Sequence, residues 1–163
     1  MSPVVVQADL SNETHRSGIV ELLDMYASEP LQGGKALSDE VRSRLISGLA
    51  AQTNGRYFLA LEGETPVGIA ICFVGFSTFW ALPLLNVHDL AVHRDFRGKG
   101  LGTLLLTAAE QEAVRLGCCK LTLEIQQENF KARRLYERFG FGSGDPNGAE
   151  SAFMTKTLVE PIA

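Results

Sequence analysis

The segment Phe96-Arg97-Gly98-Lys99-Gly100-Leu101-Gly102-Thr103 decides how this chain is read. It follows the strand-like run Leu84 to Val92 and precedes an apolar stretch from about Leu101 to Leu116, which Gly117 stops as a helix. A glycine-rich turn between a strand and a helix leaves consecutive backbone N–H groups pointing outward at the positive end of the helix dipole. Such an end takes phosphate. Gly98, Gly100 and Gly102 let the backbone approach an anion closely, and Arg97 and Lys99 add cations at the same rim. The competing reading is a turn needed only for packing, and the position between strand and helix weighs against it. Two nucleotide motifs are unsupported. No GxxxxGK[ST] is present, and GxGxxG fails because Thr103 or Leu105 stands where the last glycine belongs, counted from Gly98 or Gly100.

Toward the N-terminus, Val4 to Val6 opens as a strand, and Ile19, Leu22, Leu23 and Tyr26 share one helical face. The loop Leu31 to Leu37 leads to Ser38, which can cap a helix with Val41, Leu45 and Leu49 turned inward. Tyr57 to Leu61 and Val67 to Phe76 are strand-like, and the turn composition of Glu62 to Pro66 makes an antiparallel hairpin the simplest connection. Beyond the glycine segment, Leu121, Leu123 and Ile125 alternate with polar residues. Asn129 to Phe139 reads as a last helix closed by Gly140, and Ala152 to Leu158 as a final strand. This order predicts an α/β (α+β) fold over residues 4–160, one domain with a mixed central sheet of about six or seven strands and helices on both faces.

Composition agrees with a globular chain. Of 163 residues, 45% are apolar and 21% charged, which indicates neither disorder nor a fibrous repeat. A net charge of -4 argues against a broad electrostatic footprint for nucleic acid or an anionic membrane. The longest uncharged run, Pro66 to Val87, is punctuated by glycine, proline and polar residues and reads as strand rather than membrane span. Met1 to Leu10 lacks the basic start and cleavage site of a secretory signal. Cys72, Cys118 and Cys119 form no CxxC pair, so reduced thiols, no metal site and a cytoplasmic location are expected.

A second segment sharpens the first. Arg97-Gly98-Lys99-Gly100-Leu101-Gly102 matches the (Arg/Gln)-x-x-Gly-x-(Gly/Ala) signature of the GNAT superfamily of N-acetyltransferases. Asn129-x-x-Ala132-x-x-Leu135-Tyr136-x-x-x-Gly140-Phe141 is similar to that family's second signature. The resemblance covers about Val4 to Leu158. It implies the GNAT fold and acetyl-CoA as co-substrate. The pyrophosphate would lie on Arg97, Gly98, Lys99, Gly100, Leu101, Gly102 and Thr103. Leu90, Ala91 and Val92 would offer backbone groups to the pantetheine like a neighbouring strand. Asn129 and Ala132 would lie on the pantetheine side and Tyr136 near the sulfur. Asn129 and Tyr136 are seven residues apart, so they share a helix face about 10 Å apart along the axis. Family members often pair, which makes a homodimer a further expectation.

Acetyl transfer to an amine needs a neutral nucleophile, a stabilised oxyanion and a proton for the departing thiolate. Tyr136 keeps its proton at neutral pH and suits the role of general acid, while a strand N–H within Leu90 to Val92 would hold the oxyanion. Glu124 stands where ribosomal-protein alanine acetyltransferases, which this chain resembles, carry a catalytic glutamate; the alternative is a surface carboxylate. His88, with Asp89 on the opposite strand face, offers a second base. Asp89 to Gly100 also resembles diamine acetyltransferases, although their residue at the position of His88 is usually acidic. The acceptor would be bounded by Pro30 to Ser38, by Phe76 to Trp80 and by Ser143 to Glu150, with Asp145 and Glu150 able to attract a cation. The first reading is acetyl transfer to the primary amine of a small molecule within a ternary complex. The alternatives are a protein N-terminal acetyltransferase, a non-catalytic acyl-CoA sensor and a nucleotide-binding α/β protein.

Overall fold

The computed structural model describes residues 2–143 and 151–160. In chain order it contains β1 (Val4–Gln7), α1 (Glu13–Ala27), α2 (Asp39–Ala50), β2 (Gly55–Glu62), β3 (Thr65–Ser77), β4 (Leu82–Val92), α3 (Leu101–Arg115), β5 (Leu121–Leu123) and α4 (Phe130–Phe139). Short 3-10 turns occupy Pro30–Gln32 and Arg94–Phe96. The helix starts are set by side chains: Asn12 accepts from the His15 N–H, Ser38 from that of Val41 and Asn129 from that of Ala132. Helix ends fall on glycine where the chain must turn left-handed, at Gly117 (φ 73°) and Gly140 (φ 107°).

The five strands lie in the order β1-β2-β3-β4-β5. All neighbours are antiparallel except β4 and β5, which pair in parallel through the crossover helix α3. One face packs Phe58, Ala70, Cys72 and Leu85 against Leu101, Leu105 and Leu106 of α3. The other packs Leu59, Ile69 and Ile71 against Ile19 and Leu22 of α1, with Leu49 of α2 beside them. Each such aliphatic side chain contributes about 1.5–3 kcal/mol on leaving water, so these two layers hold the sheet between its helices.

Two expectations need correction. Among the described residues the sheet has five strands rather than six or seven, and residues 151–160 form no strand. A strand needs a hydrogen-bonded neighbour, but β5 is only three residues long and this segment lies off it, leaving Phe153 74% and Leu158 86% exposed. His88 and Asp89 also do not face opposite ways. In the β3–β4 ladder Ile71 pairs with Asp89 and the next residue, Cys72, with Val87, so His88 is an extra residue in a β-bulge. The bulge reverses the alternation. Leu85 and Val87 before it and Leu90 and Val92 after it pack toward α3, while Asp89 joins Ala91 on the α1 face. The His88 ring also lies on that face, edge-on to Phe73 at 5.6 Å.

Candidate active site

The bulge also ends the pairing of β4 with β5. Their parallel contacts run from Leu85 with Leu121 to Val87 with Leu123 and stop there, so the strands separate beyond His88. The His93 N–H donates to the Val67 carbonyl at 2.8 Å, which fixes the phase of the β3–β4 ladder. By antiparallel geometry Ala91 then turns its N–H and C=O toward β3, while Leu90 and Val92 turn theirs into the gap. Of the three backbone positions expected to meet an extended ligand, Leu90 and the Val92 N–H therefore face the gap without a partner among the described residues, the Val92 carbonyl also faces it but accepts from Arg97, and Ala91 belongs to the sheet.

At the end of this open edge lies the glycine loop. Gly98 (φ 73°) and Gly100 (φ 80°) are both left-handed, and Gly100 caps α3 without a side chain. The N–H groups of Gly98, Lys99, Gly100, Leu101, Gly102 and Thr103 find no acceptor among the described residues; the first α3 bond of this region is from Leu104 N–H to the Gly100 carbonyl at 3.1 Å. Consecutive free N–H groups at a helix start form a concave anion site. Leu101 is buried and offers only its backbone. Gly102 has a different role, because a Cβ there would come within 2.8 Å of Leu135 Cδ2 on α4. Lys99 holds its ammonium 4.8 Å above the Phe96 ring. Arg97 donates through Nε to the Val92 carbonyl at 3.0 Å and pairs with Glu29 at the end of α1.

Helix α4 flanks the gap with the second group of expected residues. Asn129 uses its side-chain oxygen to cap the Ala132 N–H at 3.2 Å, which leaves its amide NH2 available. Tyr136 is half-buried beside Phe141, with ring centroids 5.8 Å apart, and no hydrogen bond to its hydroxyl is formed among the described residues. Burial pushes its phenol above the ordinary range, so the proton is firmly held. A second phenol, Tyr26 of α1, is pushed up to about 12, chiefly by burial and then by the charges of Tyr136, Asp89 and Glu29. Asp89 is raised by burial, opposed by His88, and makes no hydrogen bond or ion pair among the described residues.

The expected bases are placed less favourably. Glu124 is exposed just beyond the end of β5, and His88 is exposed at the bulge. Phe79 and Trp80 are 100% and 63% exposed at the β3–β4 turn, before the start of β4 at Leu82, which itself lies roughly 20 Å along the strand from Asp89. They do not wall this gap. Asp145 and Glu150 lie outside the described residues. Two residues near the site, Tyr26 and Glu29, were not singled out by sequence reasoning, since Tyr26 looks like any inward-facing helix residue and Glu29 like a solvated helix end. Asp89 was named beside His88 but turned the wrong way, because a bulge leaves no local signature.

The residues present suit a long ligand with an anionic middle and an extended amide arm. The loop supplies N–H donors and two cations, and the free edge of β4 supplies an amide partner leading toward Tyr136. Comparison with known proteins agrees. The model of the acetyltransferase (GNAT) family matches residues 18–141. Similar folds include a ribosomal-protein-alanine N-acetyltransferase from Brucella melitensis biovar Abortus 2308, 19% identical, covering 96% of this chain and 100% of that one with a TM-score of 0.74. An aminoglycoside acetyltransferase from an uncultured soil metagenomic sample is 18% identical, with 97% of each chain covered and a TM-score of 0.76. An integron cassette protein from the mobile metagenome of Cole Harbour Salt Marsh is 25% identical, covering 96% of this chain and 91% of that one at a TM-score of 0.77. With its bulged β4, its glycine loop opening α3 and a family match over most of its length, the chain belongs to the GNAT family of acetyltransferases.

Proposed function

We propose that the protein transfers acetyl from acetyl-CoA to the primary amine of a small molecule by direct attack within a ternary complex. The run of free N–H groups from Gly98 to Thr103, continuous with the open edge at Val92 and Leu90, is the observation that carries this reading. In it, the loop amides with Arg97 and Lys99 hold the pyrophosphate. The Val92 and Leu90 backbone groups and the Asn129 amide orient the pantetheine. A bound thioester supplies the activated acetyl group.

A Leu90 N–H directed into the gap suits the developing oxyanion, since a fixed donor needs no reorganisation as charge builds. The Tyr136 phenol, its proton firmly held and without an acceptor among the described residues, suits transfer of a proton to the leaving sulfur. His88 and Glu124 stay as candidate bases on the rim.

Calorimetry with CoA, followed by CoA release assays over a panel of primary amines, tests the proposal. Micromolar binding and release with at least one amine are expected. Tyr136→Phe is expected to lower kcat by about 100-fold with little change in CoA affinity. Binding without release for any amine favours an acyl-CoA sensor, and absence of CoA binding defeats both readings.

A further inference from the structure

One cation of the glycine loop is not turned to the loop. Arg97 belongs to the rim that would take a diphosphate, yet its side chain reaches back to the open edge of β4, where Nε donates to the Val92 carbonyl at 3.0 Å. A terminal nitrogen of the same guanidinium pairs with Glu29, two residues past the end of α1 at Ala27. The planar fork of arginine can serve both acceptors at once. Glu29 is poorly placed without that cation. A carboxylate just past a helix C-terminus meets the negative end of the dipole, and α1 has no basic residue in its last turn. Its side chain is 23% exposed, and among the described residues Arg97 is its one ion-pair partner. Asp24, one helical turn earlier, is served instead by the Leu37 N–H and by Arg42. The Val92 carbonyl faces the gap, and the Arg97 N–H stands on it as an amide N–H of an extended ligand would.

Resting on the acetyltransferase reading above, we infer that Glu29 is a specificity-determining residue of the acyl-donor site. It holds Arg97 on the open edge of β4, so that a pantetheine arm is admitted there only when a diphosphate draws the guanidinium away. The guanidinium has two arrangements, one on the Val92 carbonyl and Glu29, the other over the loop amides. A ligand shifts it between them only as far as it binds one better than the other. A diphosphate carries more charge than the single carboxylate of Glu29 and meets loop N–H groups already fixed in place, so it favours the second arrangement. Bare pantetheine has no anion to receive the guanidinium. Its apparent affinity therefore falls by the fraction of chains in which the edge is clear. Glu29 weakens the full donor as well, but the diphosphate's hold on Arg97 offsets that loss, and the two ligands are told apart.

Calorimetry of the full chain with CoA, and displacement of CoA by pantetheine, tests this. Glu29→Gln is expected to bind both ligands about fivefold more tightly, since it lets Arg97 leave the edge. Arg97→Ala is expected to split them. Pantetheine should gain by about the same factor, whereas CoA, deprived of its guanidinium partner, should weaken about tenfold. Adding Glu29→Gln to Arg97→Ala should then change neither affinity, because the two residues act as one unit. An ion pair that serves only the fold gives a different pattern, a lower Tm in Glu29→Gln with both affinities unchanged or weaker, and that result overturns the assignment. Arg97→Ala that leaves pantetheine binding unchanged or weakened overturns it as well. A wild-type chain that binds no CoA fails the acetyltransferase reading itself, and this inference with it, at the first titration.

Discussion

At the level of single residues, Asp89 shows how burial of a carboxyl acts on stability. Burial raises its carboxyl above the ordinary 3.8, so the folded chain binds that proton more tightly than the unfolded chain does. The resulting contribution is fully present below about pH 3.8 and is lost as pH rises through the elevated folded value. Asp89→Asn should therefore gain in Tm relative to wild type as pH is raised from acid to neutral. Thermal melts of both proteins across that range check this, and a constant Tm difference would contradict it. Gly100 is a second case, because any Cβ there must adopt φ near 80°. Gly100→Ala should cost about 1–2 kcal/mol in denaturant unfolding and weaken CoA binding by turning the loop amides. Such glycines could be read directly, since the loop's residue types state their own backbone need. Tyr26 could not, because an inward-facing tyrosine at helix spacing looks the same whether its hydroxyl serves a core or a site.

At the level of elements, periodicity was readable and cross-strand register was not. Ile19, Leu22 and Leu23 are buried as their spacing requires, and Ser38, Gly117 and Gly140 mark helix ends as their types suggest. The bulge at His88 depends on how β4 matches β3, a relation between two strands that neither strand's alternation contains. The final strand failed for a similar reason, since the residue types of 152–158 say nothing of whether β5 offers enough edge to receive it. Helix packing yields two predictions. A Cβ at Gly18 would come within 2.4 Å of Pro66 Cγ, and the proline ring cannot swing aside. Gly18→Ala should therefore destabilise the α1–β3 contact by about 1–3 kcal/mol in chemical denaturation. Loss of the α4 cap in Asn129→Ala should cost about 1 kcal/mol, most of it returned by Asn129→Ser. If Asn129 also holds pantetheine, the serine variant will recover stability without recovering CoA affinity.

For the molecule as a whole, net charge misleads about the ligand. The chain carries -4 overall, yet Arg97, Lys99 and a helix N-terminus place a local positive site where a pyrophosphate would lie. Composition averages over the surface and cannot see this, whereas the order of residues around the glycines can. Arg97 is meanwhile already occupied. Its guanidinium ties the Val92 carbonyl, where an extended ligand would pair, to Glu29, whose own carbonyl accepts the N–H groups of Gln32 at 2.9 Å and Gly34 at 3.0 Å. A diphosphate bound at the loop would compete for that guanidinium, and winning it would release the Glu29 side chain, and with it the residue on which the 30–34 turn is hung, so occupancy of the loop would be felt at the far end of α1.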